Sequence, residues 1–174
     1  MRLVVEYLII VTMVQMMAGV TNPKLESREI SMVGLMIAQT MEPSNVGALV
    51  LASAIVVLAI GQQDHETVLI SQIGVIGLEI VASTTGLLTM YLGIEIVGLS
   101  FYILAGRERK GMKSTEAGIK YFVLGALSSG VLLMGITIVY AETGTTDLEL
   151  ITSVSRTMIE IGVLFKLGAA PFHM

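Results

Sequence analysis

Three charged residues fall inside otherwise apolar runs, where a charge needs a physical reason. Glu95 stands near the middle of TMYLGIEIVGLSFYILA, Lys166 interrupts LFKLGAAPF, and Lys120 opens IKYFVLGALSSGVLLMG. An uncompensated charge at bilayer depth costs about 2.5–3.5 kcal/mol on insertion scales. A carboxylate and a lysine on different helices would stabilise one another there, and their protonation states would shift together. That is the chemistry of ion or proton transfer through a membrane. Pro171, five residues after Lys166, removes a backbone donor and is expected to break the helix. A charge beside a broken helix at that depth lines a hydrated cavity or another protein surface. His173 follows the break, and an imidazole there can pass protons near neutral pH. The residues leave Lys120 open between an interfacial anchor and a buried functional group.

The remaining ionisable residues carry plainer expectations. Glu79 in GVIGLEIVAS and Glu6 lie towards the ends of their segments and are expected at the interface. Arg156 and Glu160 are spaced for a local ion pair at the start of the last helix. His65 sits in a charged loop and is expected to be solvated.

The elements that must position these groups follow from hydropathy. Apolar segments run over residues 3–20, 46–61, 68–82, 86–105, 119–141 and 157–170. A helix needs about 20 residues to cross the hydrocarbon, so 86–105 and 119–141 are full spans. Residues 28–41 are open between a short span and an interfacial helix. The first segment has a basic start and an apolar core, but Glu6 inside that core favours a retained helix over a cleaved leader. The fold class expected is all-α, a polytopic transmembrane bundle of about six or seven helices with a broken helix near the C-terminus. Loop 106–118 concentrates Arg107, Arg109, Lys110 and Lys113, so it faces the compartment of synthesis. In GALSSG, the pairs Gly125/Ser129 and Ala126/Gly130 have the spacing that lets two helices pack closely.

Composition excludes much else. The 174 residues are 54% hydrophobic and 14% charged, with net charge −4 and no cysteine. Thiolate-held iron–sulfur clusters, cysteine zinc sites and covalent haem are therefore excluded from this chain. No basic run is interleaved with aromatics, so nucleic acid is not an expected partner. GxSxG, HExxH and GxxxxGK[ST] are absent, and the scattered methionines form no metal-binding stripe. No metal, cofactor, redox centre or catalytic nucleophile is expected in the chain.

Three stretches go beyond these generic features. STEAGIKYFVLGALSSGVLLMGITIVYAETGTTDLEL (114–150), YLGIEIVGLSFYILAGRERKG (91–111) and LFKLGAAPFHM (164–174) stand in order and at matching intervals. Together they resemble the subunit-2 family of mitochondrial NADH:ubiquinone oxidoreductase, respiratory complex I. The likeness covers about residues 85–174. It implies an antiporter-like membrane subunit that takes part in proton translocation coupled to NADH:ubiquinone electron transfer. The site residues carried over are Glu95 and Lys166 as the intramembrane pair, Lys120 on the same polar axis, and His173 after the break at Pro171. The resemblance also implies a multi-pass protein of the mitochondrial inner membrane, with other complex I membrane-arm subunits and membrane lipids as partners.

The expected organisation is a single membrane domain over 1–174. Residues 1–61 would form diverged amino-terminal helices, and 62–174 part of the first antiporter-like repeat. Family members continue past the Pro-Phe-His motif with further helices and lysines. A subunit encoded in two pieces, with a companion chain supplying the rest, is therefore expected ahead of a shortened variant or an incomplete fragment. Two other readings stand beside this one. The chain could be a scaffold of the membrane arm that has lost pumping, or a fragment of a stand-alone cation/proton antiporter.

Overall fold

A computed structural model of the chain describes residues 2–21, 27–61, 64–108 and 111–169. Seven α-helices form among them: α1 (Arg2–Thr21), α2 (Ser27–Met41), α3 (Asn45–Ile60), α4 (His65–Ser83), α5 (Leu87–Ala105), α6 (Met112–Thr143) and α7 (Ser153–Lys166). Among the described residues there is no strand, only one isolated bridge between Gly86 and Asp147. The all-α bundle expected from hydropathy is what forms. Four helices, α1, α4, α5 and α6, are long and apolar enough to cross a membrane. Their outward faces carry large apolar side chains such as Ile10, Met13, Leu92, Ile103 and Val123. Apolar surface on that scale suits lipid and not water.

The chain divides into two compact units, 1–83 and 84–174. In the first, α1, α2, α3 and α4 pack around Val4, Leu8, Leu35, Leu51, Leu58, Val68 and Ile76. Helix α2 takes part through the buried Ser31, Gly34, Leu35 and Ala38, so it is a bundle member and not a helix lying free at the interface. The helix starts and stops have local causes. Pro43 follows α2, and the Ser44 hydroxyl accepts from Gly47 N–H to cap α3. Gln15, Ser31 and Gln72 hold α1, α2 and α4 together through buried side-chain hydrogen bonds. His65 is half-buried, not freely solvated as its loop setting suggests: a Cβ added to Gly19 would overlap its ring, so the two helices meet there.

In the second unit, α5, α6 and α7 pack around Leu87, Leu132, Ile136, Val139 and Ile159. Glycines let α6 and α7 meet at backbone distance. A Cβ on Gly162 would come within 2.9 Å of Leu132 Cα, and one on Gly135 within 3.0 Å of the Ile159 nitrogen. The stripe that sequence spacing points to works differently. Gly125 faces Tyr102, whereas Ala126 and Gly130 are exposed, and nothing lies within 4 Å of a Cβ built on Gly130.

Helix α6 is longer than its apolar core, because its first turns are charged but still helical. Its 32 residues rise about 48 Å, against roughly 30 Å of hydrocarbon. A Cβ on Gly118 would lie 2.9 Å from Cα of Gly106, the residue that ends α5. Residues 112–117 therefore project beyond the end of α5. At the other end of α6, Gly144 adopts φ 73° and closes the helix in the left-handed region. The segment after it pairs back onto the start of α5 through Leu87 N–H to Thr146 O and Leu148 N–H to Thr85 O.

Candidate functional site

Helix α7 has 14 residues and rises only about 21 Å, so it stops short of a full crossing. Its first turn is fixed by Thr152 N–H donating to Ser155 Oγ at 3.0 Å. Its last residue is Lys166. Beyond it Gly168 takes φ 63°, Ala169 N–H donates to Leu164 O and Gly168 N–H donates to Phe165 O. That is a Schellman closure, which needs a residue tolerant of the left-handed region. The helix thus ends five residues ahead of Pro171, and Gly168 is the agent within the described residues. Pro171 and His173 lie outside the described residues.

The Lys166 ammonium donates to Glu95 Oε1 at 2.7 Å across 71 residues of sequence. Glu95 comes from the middle of α5, so the broken end of α7 is brought to mid-helix depth. The lysine side chain is 14% exposed and the glutamate 25%. Lys166 also donates to the Tyr102 hydroxyl at 3.3 Å, with its ammonium 5.8 Å from the Tyr102 ring centroid. As a cation in the last turn of α7, it sits favourably at the negative end of the helix dipole. Ser129 on α6 donates to Glu95 Oε1. One carboxylate is therefore held by a lysine from α7 and a hydroxyl from α6.

Tyr102 is 8% exposed and packs edge-on against Tyr121 and Phe122. Room for it comes from two glycines. A Cβ on Gly125 would overlap its phenol, and one on Gly98 would reach its oxygen at 3.0 Å and Lys166 Nζ at 3.3 Å. Neither Tyr102 nor the Ser129 hydroxyl stands out as a site residue in the sequence. A signal was present: Glu95, Gly98 and Tyr102 follow at i, i+3 and i+7, one face of α5.

Lys120 is not in this cluster. It is 64% exposed and pairs with Glu116 one turn earlier, near the end of α6 that projects past α5. One further expectation is corrected. Arg156 and Glu160 are both exposed and do not pair with one another, since hydration of two surface charges leaves little to gain from contact. Glu79, expected at the interface, is 1% exposed and faces the interior of the first unit. Glu6 is exposed. Among the described residues no group of His, Cys, Asp or Glu is placed to hold a metal ion.

The sequence and the fold have counterparts among known proteins. The sequence profile described as "NADH:quinone oxidoreductase/Mrp antiporter, TM" matches residues 83–174. The chain belongs to this family. Relatives similar to this NADH:quinone oxidoreductase/Mrp antiporter family member include NADH-quinone oxidoreductase subunit N of Trichlorobacter lovleyi, 45% identical over 57% of this chain and 23% of its own length. The subunit N of Granulibacter bethesdensis is 35% identical over 66% of this chain and 27% of its own. The chain thus spans about a quarter of the length of the curated relatives it matches. Its fold resembles a chain in the structure of respiratory complex I from Thermus thermophilus with bound aureothin. The TM-score there is 0.85 at 24% identity, over 98% of this family member and 45% of that chain. The family assignment covers the helices that carry Glu95, Lys120 and Lys166.

Proposed function

We propose that this chain is part of an antiporter-like membrane subunit of respiratory complex I and takes part in proton translocation coupled to electron transfer from NADH to a quinone. The observation that carries the reading is the ion pair of Glu95 with Lys166 at the broken end of α7. A structural bundle gains nothing from such a pair, since apolar side chains of similar volume are often as stable or more so.

The working unit is the pair with its two hydroxyls. With Glu95 ionised, the Lys166 ammonium is held at the carboxylate. A proton arriving on Glu95 removes that attraction and frees Lys166 to release its own proton onward. The Tyr102 hydroxyl, a second acceptor for Nζ, keeps the amine located while the carboxyl is neutral. Moving one charge against 100 mV costs about 2.3 kcal/mol, within reach of remaking a partly desolvated pair. Lys120 is the next group of this axis, its exposed side turned to the rest of the antiporter-like fold. His173 completes the connection after the break.

The subunit-specific wording around STEAGIKYF supports the subunit-2 equivalent of a mitochondrial inner-membrane complex. Partners are the other membrane-arm subunits, lipid, and the helices that make up the remainder of its longer relatives. The chain contributes no redox centre to the assembly. Mild-detergent isolation of the native complex, followed by mass spectrometry of co-migrating chains, tests this. Co-migration with complex I subunits and with a peptide set covering those further helices supports the proposal; migration apart from complex I overturns it.

A further inference from the structure

We propose that Glu79 is a proton-binding carboxyl of the first helical unit, a site formed by α1, α2 and α4 and independent of the Glu95–Lys166 pair. The side chain is 1% exposed, its Oε1 has no hydrogen-bond partner, and it makes no ion pair among the described residues. Ile76 and Ile80, on either side of it, belong to the apolar core of the first unit, and with Glu79 itself buried the carboxyl points into the bundle and not to lipid.

Gln72 lies two turns earlier on the same face of α4 and is also 1% exposed. Its Oε1 accepts from Ser31 Oγ at 3.2 Å, and Ser31 also accepts from Gln15 Nε2 at 2.7 Å. Gln72 Nε2 is left without a partner, as is Oε1 of Gln39 on α2. Buried polar groups in native bundles are nearly always satisfied. Here a donor and two acceptors along one seam are not, and one of the acceptors is titratable.

An ionised carboxylate in this setting carries the full desolvation cost, whereas the neutral acid carries far less and gains a donor. Glu79 therefore holds a proton at rest and releases it when its surroundings hydrate. The route lies at the end of α2. Ser31 is level with Gln72, and α2 and α4 run the same way, so Glu79 is level with Ala38 and Gln39, one turn from Glu42. Glu42 Oε1 accepts from Ser44 N–H at 3.0 Å, which fixes it at that rim. The other titratable residues facing this level are Tyr7 and the exposed Glu6 on α1, while α3 carries none.

Two measurements on the purified native complex decide the point. The first is labelling with dicyclohexylcarbodiimide, which adds to protonated carboxyls in apolar surroundings, with the adduct located by peptide mass mapping. The expected result is an adduct on Glu79 that grows as pH falls, is lost in Glu79→Gln, and is absent from the surface Glu116. The second needs no reagent access: an infrared band of a neutral carboxyl at neutral pH, lost in Glu79→Gln and kept in Glu79→Asp. Absence of that band in the wild type overturns the proposal. So does suppression of labelling by sodium at constant pH, which would assign the site to a metal cation.

Discussion

Lys166 and Glu95 meet at 2.7 Å because α7 ends where it does: the Gly168 closure leaves the lysine at the helix terminus, facing mid-α5. The first prediction concerns that pair. Removing one partner leaves a partly buried charge alone, a loss of about 3–5 kcal/mol, whereas removing both is far milder. Glu95→Gln and Lys166→Met should each lower the yield and thermal midpoint of the assembled complex, and the double variant should recover most of the loss. Additive losses in that double-mutant cycle would mean that the two side chains do not interact.

Tyr102 is expected to position Lys166. Tyr102→Phe keeps the ring that packs on Tyr121 and Phe122 but deletes the oxygen that accepts from Nζ. Assembly should be unchanged while the pH profile of proton translocation shifts. Gly125→Ala, whose Cβ overlaps the phenol, should perturb the same profile and also lower stability. An unaltered profile in both variants would remove Tyr102 from the account.

Closing α7 differently should uncouple the lysine from its partner. At Gly168, φ 63° costs a residue with a side chain about 1–2 kcal/mol. Gly168→Ala is expected to lower thermal stability by that order and to reduce proton translocation more than electron transfer. Gly162→Ala, a clash with the Leu132 backbone, should cost about 1–3 kcal/mol through overpacking alone. Thermal midpoints of the two variants, set beside their pumping ratios, separate the effects.

Lys120 gives the opposite pattern. Its pair with Glu116 is exposed, so Lys120→Ala should leave the melting temperature unmoved. If it is the next group of the axis, proton translocation by the assembled complex should still fall. A variant normal in both respects would make it an anchor only.

These residues also show what a sequence can disclose. Glu95 and Lys166 were legible because a charge inside an apolar helix has few satisfactory surroundings, and two opposite charges supply each other's. Tyr102 and Ser129 were not, because tyrosines and serines are ordinary in membrane helices and only the fold brings these two to the pair. The burial of Glu79 was not legible, because distance from a helix end says nothing of which face is buried. The length of α6 was under-read because charged first turns look like loop, although charge outside the hydrocarbon does not stop a helix. Gly168 carries a weaker signal than Pro171, since proline announces a break while glycine only permits one.

The most direct test of the account is the proton-to-electron ratio of the native complex, reconstituted in sealed vesicles, with Glu95→Gln in place. The account predicts that the variant assembles and still oxidises NADH, but moves clearly fewer protons per electron than the wild type. An assembled Glu95→Gln complex that pumps at the wild-type ratio would contradict it, and would leave these helices a scaffold.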